Sequence, residues 1–197
     1  GWQPMTPLPQ RHHRRSIRLK GYDYSQAGAY FVTICTQDRA CLFGEVADGQ
    51  MRLNDAGQMI ERWWVELPNK FPAVDLDAYA IMPNHLHGVI VIVGADLCVR
   101  PDQEGAHVGA PLPAIVQWFK TMTTNEYIRR VKQADWPPFH RRLWQRNYYE
   151  HIVRDEDSLN RIRDYIASNP ARWDLDRENH AEAWYAAPRS EDGSWRP

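Results

Sequence analysis

The sequence predicts an α+β fold, a layer of strands with amphipathic helices packed against it around a single core. Three observations predict it. Runs rich in β-branched and aromatic residues recur at 29–36, 75–82 and 86–93. Runs with apolar residues at 3- and 4-residue spacing lie between and after them, at 55–67, 112–131 and 155–168. The chain has 197 residues, 43% of them hydrophobic, enough to bury one substantial core.

Charge and cysteine content exclude several classes. The formal net charge is −1, so a nucleic-acid partner, if there is one, is met by a local patch and not by a basic chain as a whole. Residues 1–150 carry 17 Lys+Arg against 15 Asp+Glu and residues 151–197 carry 7 against 10, which places the acidic excess at the C-terminal end. Cys35, Cys41 and Cys98 are an odd count without CxxC spacing, so neither a disulfide framework nor a zinc site is expected. No apolar run reaches the roughly 20 residues of a membrane span. No membrane partner and a cytoplasmic setting are the expectation.

Residues 1–20 read as a basic N-terminal arm, with Arg11, Arg14, Arg15, Arg18 and Lys20 as permanent cations. A solvated tail fits that composition as well. The run 29–36 is the first strand. Leu42 to Val46 and Met51 to Leu53 flank Asp48-Gly49 as a hairpin. Asn54 or Asp55 caps a helix through Ile60, Trp63, Trp64 and Leu67 that Pro68 ends, with the two tryptophans as core and rim.

Asp75 to Met82 and Leu86 to Val93 follow, separated by Pro83-Asn84-His85, as a hairpin or one bulged strand. Side chains on a strand alternate, so His85 and His87 share one face and Leu86 takes the other. Two imidazoles side by side on a rigid element are half of a divalent-metal site, and hydrogen-bonded histidines at a strand mouth fit the same spacing. Residues 94–110 read as a mobile loop.

The helix over 112–131 is expected to bury Ile115, Phe119, Met122 and Ile128. Lys120 is a candidate phosphate contact, and Arg129 and Arg130 a solvated face. Arg141, Arg142, Arg146, Tyr148 and Tyr149 interleave cations with aromatics, a mixture suited to a single-stranded nucleic-acid channel. Asp155 to Asp157 then open a last helix with Leu159, Ile162 and Ile166 as its buried stripe, ending before Asn169-Pro170. Tyr165 and Asn169 are four residues apart and share a helix face. A packed tyrosine with a capping asparagine fits that spacing too.

The segments GAYFVTICTQDR (28–39), YAIMPNHLHGVIV (79–91), QRNYYEH (145–151) and LNRIRDYIASNPARW (159–173) occur in that order. With them the chain resembles the REP-associated tyrosine transposases, within the single-tyrosine HUH transposases, over roughly 15–173. The resemblance implies a ferredoxin-like central antiparallel sheet with packed helices, the HUH endonuclease fold. It also implies a domain over 21–173 and leaves 174–197 as an acidic C-terminal tail.

By the resemblance, the His-hydrophobic-His motif falls on His85, Leu86 and His87, the nucleophile on Tyr165, and a third metal-holding residue on Asn169. Tyr148 and Tyr149 are left to substrate contact or packing. The implied activity is metal-dependent cleavage and rejoining of single-stranded DNA at hairpin-forming palindromes through a 5′-phosphotyrosine intermediate, with Mg2+ or Mn2+ as cofactor. Arg14, Arg15, Arg18, Lys20, Lys120, Arg141, Arg142 and Arg146 are the DNA-binding candidates beside Tyr148 and Tyr149. Monomer or homodimer is left open. A non-catalytic hairpin-binding protein is the alternative, and an unrelated metal hydrolase using His85 and His87 a more distant one.

Overall fold

The computed structural model describes residues 27–93, 110–134, 136–176 and 179. The expected arm 1–20 and loop 94–109 lie outside these residues, as does most of the acidic tail. Four strands form the central sheet: β1 (Gly28–Cys35), β4 (Val74–Met82), β5 (His85–Ile92) and β6 (Tyr149–Val153). Their spatial order is β4-β5-β1-β6 and every neighbouring pair is antiparallel. Numbering only these four along the chain gives the order 2-3-1-4, the ferredoxin-like arrangement of split βαβ units. Helix α1 (Asp55–Val65) crosses between β1 and β4, and α3 (Leu112–Gln133) between β5 and β6. The additions are a hairpin of β2 (Gly44–Ala47) and β3 (Gln50–Leu53) before α1, a short helix α2 (Leu67–Lys70) after it, and a last helix α4 (Glu156–Ser168).

Strand alternation sorts the side chains into two clusters. Tyr30, Val32 and Ile34 of β1 and Leu86, Ile90 and Ile92 of β5 meet α1 and α3 in the main core. Phe31 and Val89 point the other way and meet Ile162 and Ile166 of α4. Full burial of each isoleucine is worth about 1.5–3 kcal/mol, so a few side chains suffice to hold α4 on the sheet. His85 and His87 have the parity of Val89. They therefore lie on the α4 face, outside the main core.

Several elements follow the local chemistry. Asp48 and Gly49 both adopt positive φ, 53° and 70°, which turns β2 into β3 with the twist a hairpin needs. Asn54 caps α1 by accepting from Gly57 N–H at 2.9 Å. Asp155 caps α4 by accepting from Ser158 N–H at 2.7 Å. Trp64 is fully buried and Trp63 half-buried, as expected of core and rim. A Cβ on Gly88 would run into the Trp64 indole, so the strand can approach α1 only with glycine there.

Two expectations are corrected. Pro68 does not end the helix: α1 stops at Val65 and Pro68 sits in the first turn of α2, where its missing N–H costs nothing. The buried stripe of α3 runs through Leu112, Ile115, Val116, Phe119, Thr123 and Tyr127, while Ile128 is exposed and Met122 half-buried. Helix α4 ends at Ser168, before Asn169-Pro170 as expected, although Asn169 itself keeps helical angles (φ −59°, ψ −43°) and leads into a 3-10 segment, Pro170–Leu175. Among the described residues, no helix is long and apolar enough to cross a membrane.

Candidate active site

The β4–β5 hairpin turns at Pro83-Asn84, and both carbonyls are pinned. Pro83 O accepts from Leu42 and Phe43 N–H at 2.9 and 3.0 Å. Asn84 O accepts from Thr36 N–H at 2.9 Å and from the Thr36 hydroxyl at 3.0 Å. His85 is thus the first residue of β5 and is fixed to its turn. His87 stands one strand repeat further on, and its register partner on β1 is Thr33.

The two imidazoles meet at Nε2, 2.9 Å apart, in a fully buried position. Their tautomers follow from the hydrogen bonds. Asn84 Nδ2 donates to Arg39 O at 3.2 Å, which orients the amide and leaves Oδ1 facing His85 Nδ1 at 2.9 Å. An amide oxygen only accepts, so His85 carries its proton on Nδ1 and presents a lone pair at Nε2. His87 Nδ1 lies 2.8 Å from the Thr33 hydroxyl, which can accept or donate and so accommodates either tautomer of His87. Burial pushes the pKa of His87 down to about 3 and holds that of His85 well below the ordinary 6.5, with the neighbouring His87 and Arg39 adding to the second effect. Both rings are neutral near pH 7, the state that binds metal.

Helix α4 brings Tyr165 over this pair. Its hydroxyl is 3.2 Å from His87 Nε2 of the same chain, and its ring stands edge-on to Phe31 and tilted against His87. The ring is half-buried. Arg163 fastens the helix from its rim, with Nη2 and Nε donating to the two carboxylate oxygens of Asp77 on β4 at 2.6 and 2.8 Å. Asn169 lies one turn beyond Tyr165, is only 3% exposed, and its amide oxygen has no hydrogen-bond partner among the described residues. A buried acceptor left without a donor is costly, and a cation relieves it.

Two site residues are not legible in the residue spacing. Asp176 is buried after the 3-10 segment, its Oδ2 3.6 Å from His85 Nε2. The ligand atoms of His85, His87 and Asp176 all lie within 4.8 Å of one another, a cluster able to hold a metal ion. Thr33 is the other, a polar residue inside a buried strand, which the β1–β5 register places against His87. Cys35 opposes His85 across the same register. Burial pushes its thiol up to about 11, against the pull of Arg39, so it stays protonated.

The candidate DNA contacts divide. Arg14, Arg15, Arg18 and Lys20 lie outside the described residues. Arg141, Arg142 and Arg146 are exposed. Leu143 and Trp144 between them are buried and joined to the end of β1, by Gln37 N–H to Leu143 O and Gln145 N–H to Cys35 O, both 2.9 Å. Tyr149 packs edge-on to Phe31 beside the site. Lys120 is the correction: its ammonium is buried, donates to Gln145 O and Asn147 O at 3.0 and 3.4 Å, and lies 5.3 Å from the centre of the Tyr148 ring. It fastens the arginine segment from beneath instead of presenting its charge to solvent. Arg129 and Arg130 lie 4.0 and 3.8 Å from the Glu126 carboxylate on the α3 surface.

No family model matches the chain. The chain is 42% identical over 174 residues to an uncharacterised protein of Haemophilus influenzae, an alignment covering 84% of this chain and 93% of that one. It is 24% identical over 153 residues to a candidate REP-associated tyrosine transposase of the same organism, covering 76% of this chain and 74% of the other. A solved REP-associated tyrosine transposase bound to a REP hairpin shares the fold, with a TM-score of 0.53 and 16% identity over 81% of this chain and 76% of that one. The sheet order is that of the HUH endonuclease fold. The chain belongs to one family with the uncharacterised Haemophilus influenzae protein, and it shares the fold of the solved REP-associated tyrosine transposase.

Proposed function

We propose that the chain is a metal-dependent endonuclease and strand transferase that cleaves and rejoins single-stranded DNA beside hairpin-forming palindromes. One observation carries this reading: a half-buried tyrosine hydroxyl stands 3.2 Å from one of two adjoining, neutral imidazoles of its own chain. Tyr165 Oη attacks the phosphorus of a phosphodiester, forming the Oη–P bond as the P–O3′ bond breaks, and the phenol proton ends on the departing 3′ oxygen. The 5′-phosphotyrosine link keeps the bond energy, so a second strand's 3′-hydroxyl can reverse the step. No external energy source enters.

A phenol with its ordinary pKa near ~10 is a weak nucleophile at neutral pH, so charge on the phosphate must be stabilised. His85 Nε2, His87 Nε2 and the Asn169 amide oxygen would hold a divalent cation, Mg2+ or Mn2+. Bound there, the ion supplies a Lewis acid that polarises a nonbridging phosphate oxygen. Two nitrogen ligands favour manganese at least as much as magnesium. Thr33 and Asn84 orient the imidazoles, and Arg163 with Asp77 holds the tyrosine helix in place.

The DNA surface of this reading is the exposed Arg141, Arg142 and Arg146 with Tyr148 and Tyr149, joined by Arg14, Arg15, Arg18 and Lys20 of the arm. The solved relative is bound to a REP hairpin, which supports the same class of partner here. The test is a covalent-adduct assay. Single-stranded oligonucleotides carrying palindromes from around the protein's own gene are incubated with Mn2+ or Mg2+ and run on denaturing gels, beside Tyr165→Phe. An adduct that requires metal and is absent from the variant is the expected result. Tight hairpin binding without cleavage under either metal would replace the enzyme with a non-catalytic hairpin-binding protein.

A further inference from the structure

We propose that Asp176 is a direct ligand of the metal, so that the site is a two-histidine, one-carboxylate set and not one of neutral groups alone. The inference rests on the metal-dependent reading above and names a residue which that reading does not use.

Asp176 is buried beside the imidazole pair, with Oδ2 3.6 Å from His85 Nε2, while the two Nε2 atoms are 2.9 Å apart. Ligand atoms each about 2.1 Å from one ion, at right angles, are about 3 Å apart, so the two edges at His85 are near that spacing, and all the ligand atoms lie within 4.8 Å of one another. The hydrogen-bond inventory points the same way. Asn84 keeps the proton of His85 on Nδ1, so Nε2 offers a lone pair, and an ionised carboxylate has only lone pairs to set against it. No hydrogen is shared along that edge, and a cation makes it attractive. The carboxylate is also held where it is. Asp176 N–H donates to Trp173 O at 3.1 Å, and the Trp173 ring lies against His85, centroids 6.0 Å apart. Ala171 of the 3-10 segment lies close to Gly49 at the tip of the β2–β3 hairpin.

A carboxylate ligand changes the chemistry of the ion. It lowers the net charge of the site by one, tightens binding of hard divalent cations, and yields a mixed nitrogen–oxygen set that suits Mn2+. The test titrates the full chain with Mn2+ alone, by calorimetry and by loss of the free-Mn2+ electron paramagnetic resonance signal. The proteins are wild type, Asp176→Asn, Asp176→Ala, the exposed control Asp174→Asn, and His85→Ala with His87→Ala. Asp176→Asn is expected to weaken Mn2+ binding at least about tenfold, since even outer-shell partners of metal ligands contribute that much. It is also expected to shrink the Mn2+-induced rise in Tm without lowering the metal-free Tm, and Asp174→Asn to match wild type. Wild-type affinity in both Asp176 variants, with binding lost in the double histidine variant, overturns the assignment of Asp176 and leaves the metal site standing. No Mn2+ binding by wild type overturns the metal site itself.

Discussion

Asn84→Leu separates the role of the turn from the role of the histidines. Asn84 is fully buried, and among the described residues its Nδ2 donates to Arg39 O while its Oδ1 accepts from His85 Nδ1. Leucine fills a similar volume and removes both. A buried polar group left without its partner costs about 1–3 kcal/mol. Arg39 is half-buried, so the share of its carbonyl falls at the low end, and the sum is about 2–4 kcal/mol. The larger consequence is at the ring. Without the acceptor at Nδ1, His85 is free to carry its proton on Nε2, where it blocks metal, and a loss of about 10–100-fold in Mn2+ affinity is expected. Asn84→Asp keeps an acceptor at that place and loses only the bond to Arg39, so its Mn2+ affinity should equal or exceed that of wild type. Urea unfolding in EDTA reads the first effect and Mn2+ calorimetry the second. An Asn84→Leu protein that folds and still binds Mn2+ within twofold of wild type would refute the tautomer argument.

The metal-free protein should lose stability in acid, because the folded chain takes up a proton at His87 only near pH 3 while the unfolded chain does so near 6.5. Stability is then level above about pH 7 and falls below 6.5, by about 2 kcal/mol for His87 between pH 8 and 5, with His85 adding in the same direction; His87→Gln should flatten the profile of urea midpoints. Gly88→Ala drives a methyl into the fully buried Trp64 indole and should cost about 1–3 kcal/mol, read as a lower Tm that Trp64→Phe partly restores. Arg142→Ala should weaken DNA binding and reduce the slope of log affinity against log salt by about 0.7, one single-strand phosphate contact. Lys120→Met should instead lower Tm with that slope unchanged, since its charge is spent on Gln145 O and Asn147 O; a lower slope would return Lys120 to the DNA surface.

Most of the sheet was legible because its signals are local. The β-branched runs, the Asp48-Gly49 turn and the caps at Asn54 and Asp155 each depend on a few neighbouring residues. The histidine pair was legible for the same reason: strand alternation alone puts His85 and His87 on one face. What the sequence left unread depends on packing between distant segments. Lys120 looks like a surface cation until the loop at 145–147 closes over it. Met122 and Ile128 fit a helical stripe, but the stripe that faces the sheet is rotated toward Val116, Thr123 and Tyr127. Trp144, which lies among the cations and aromatics of 141–149, fills the core between Phe43 and Phe119. Asp176 had no local signal at all. It reaches the histidines only because Asn169 stays helical before its proline and the 3-10 segment doubles back against the β2–β3 hairpin.

The most direct measurement maps the covalent adduct. Protein that has reacted with an oligonucleotide in the presence of Mn2+ is digested with trypsin, and the nucleotide-bearing peptide is sequenced by mass spectrometry. Cleavage after Arg163 and Arg172 puts Tyr165 alone in the peptide 164–172, whereas Tyr148 and Tyr149 fall together in 147–154. A nucleotide mass on 164–172, at Tyr165, is the expected result. A nucleotide on 147–154 would contradict the assignment of the nucleophile.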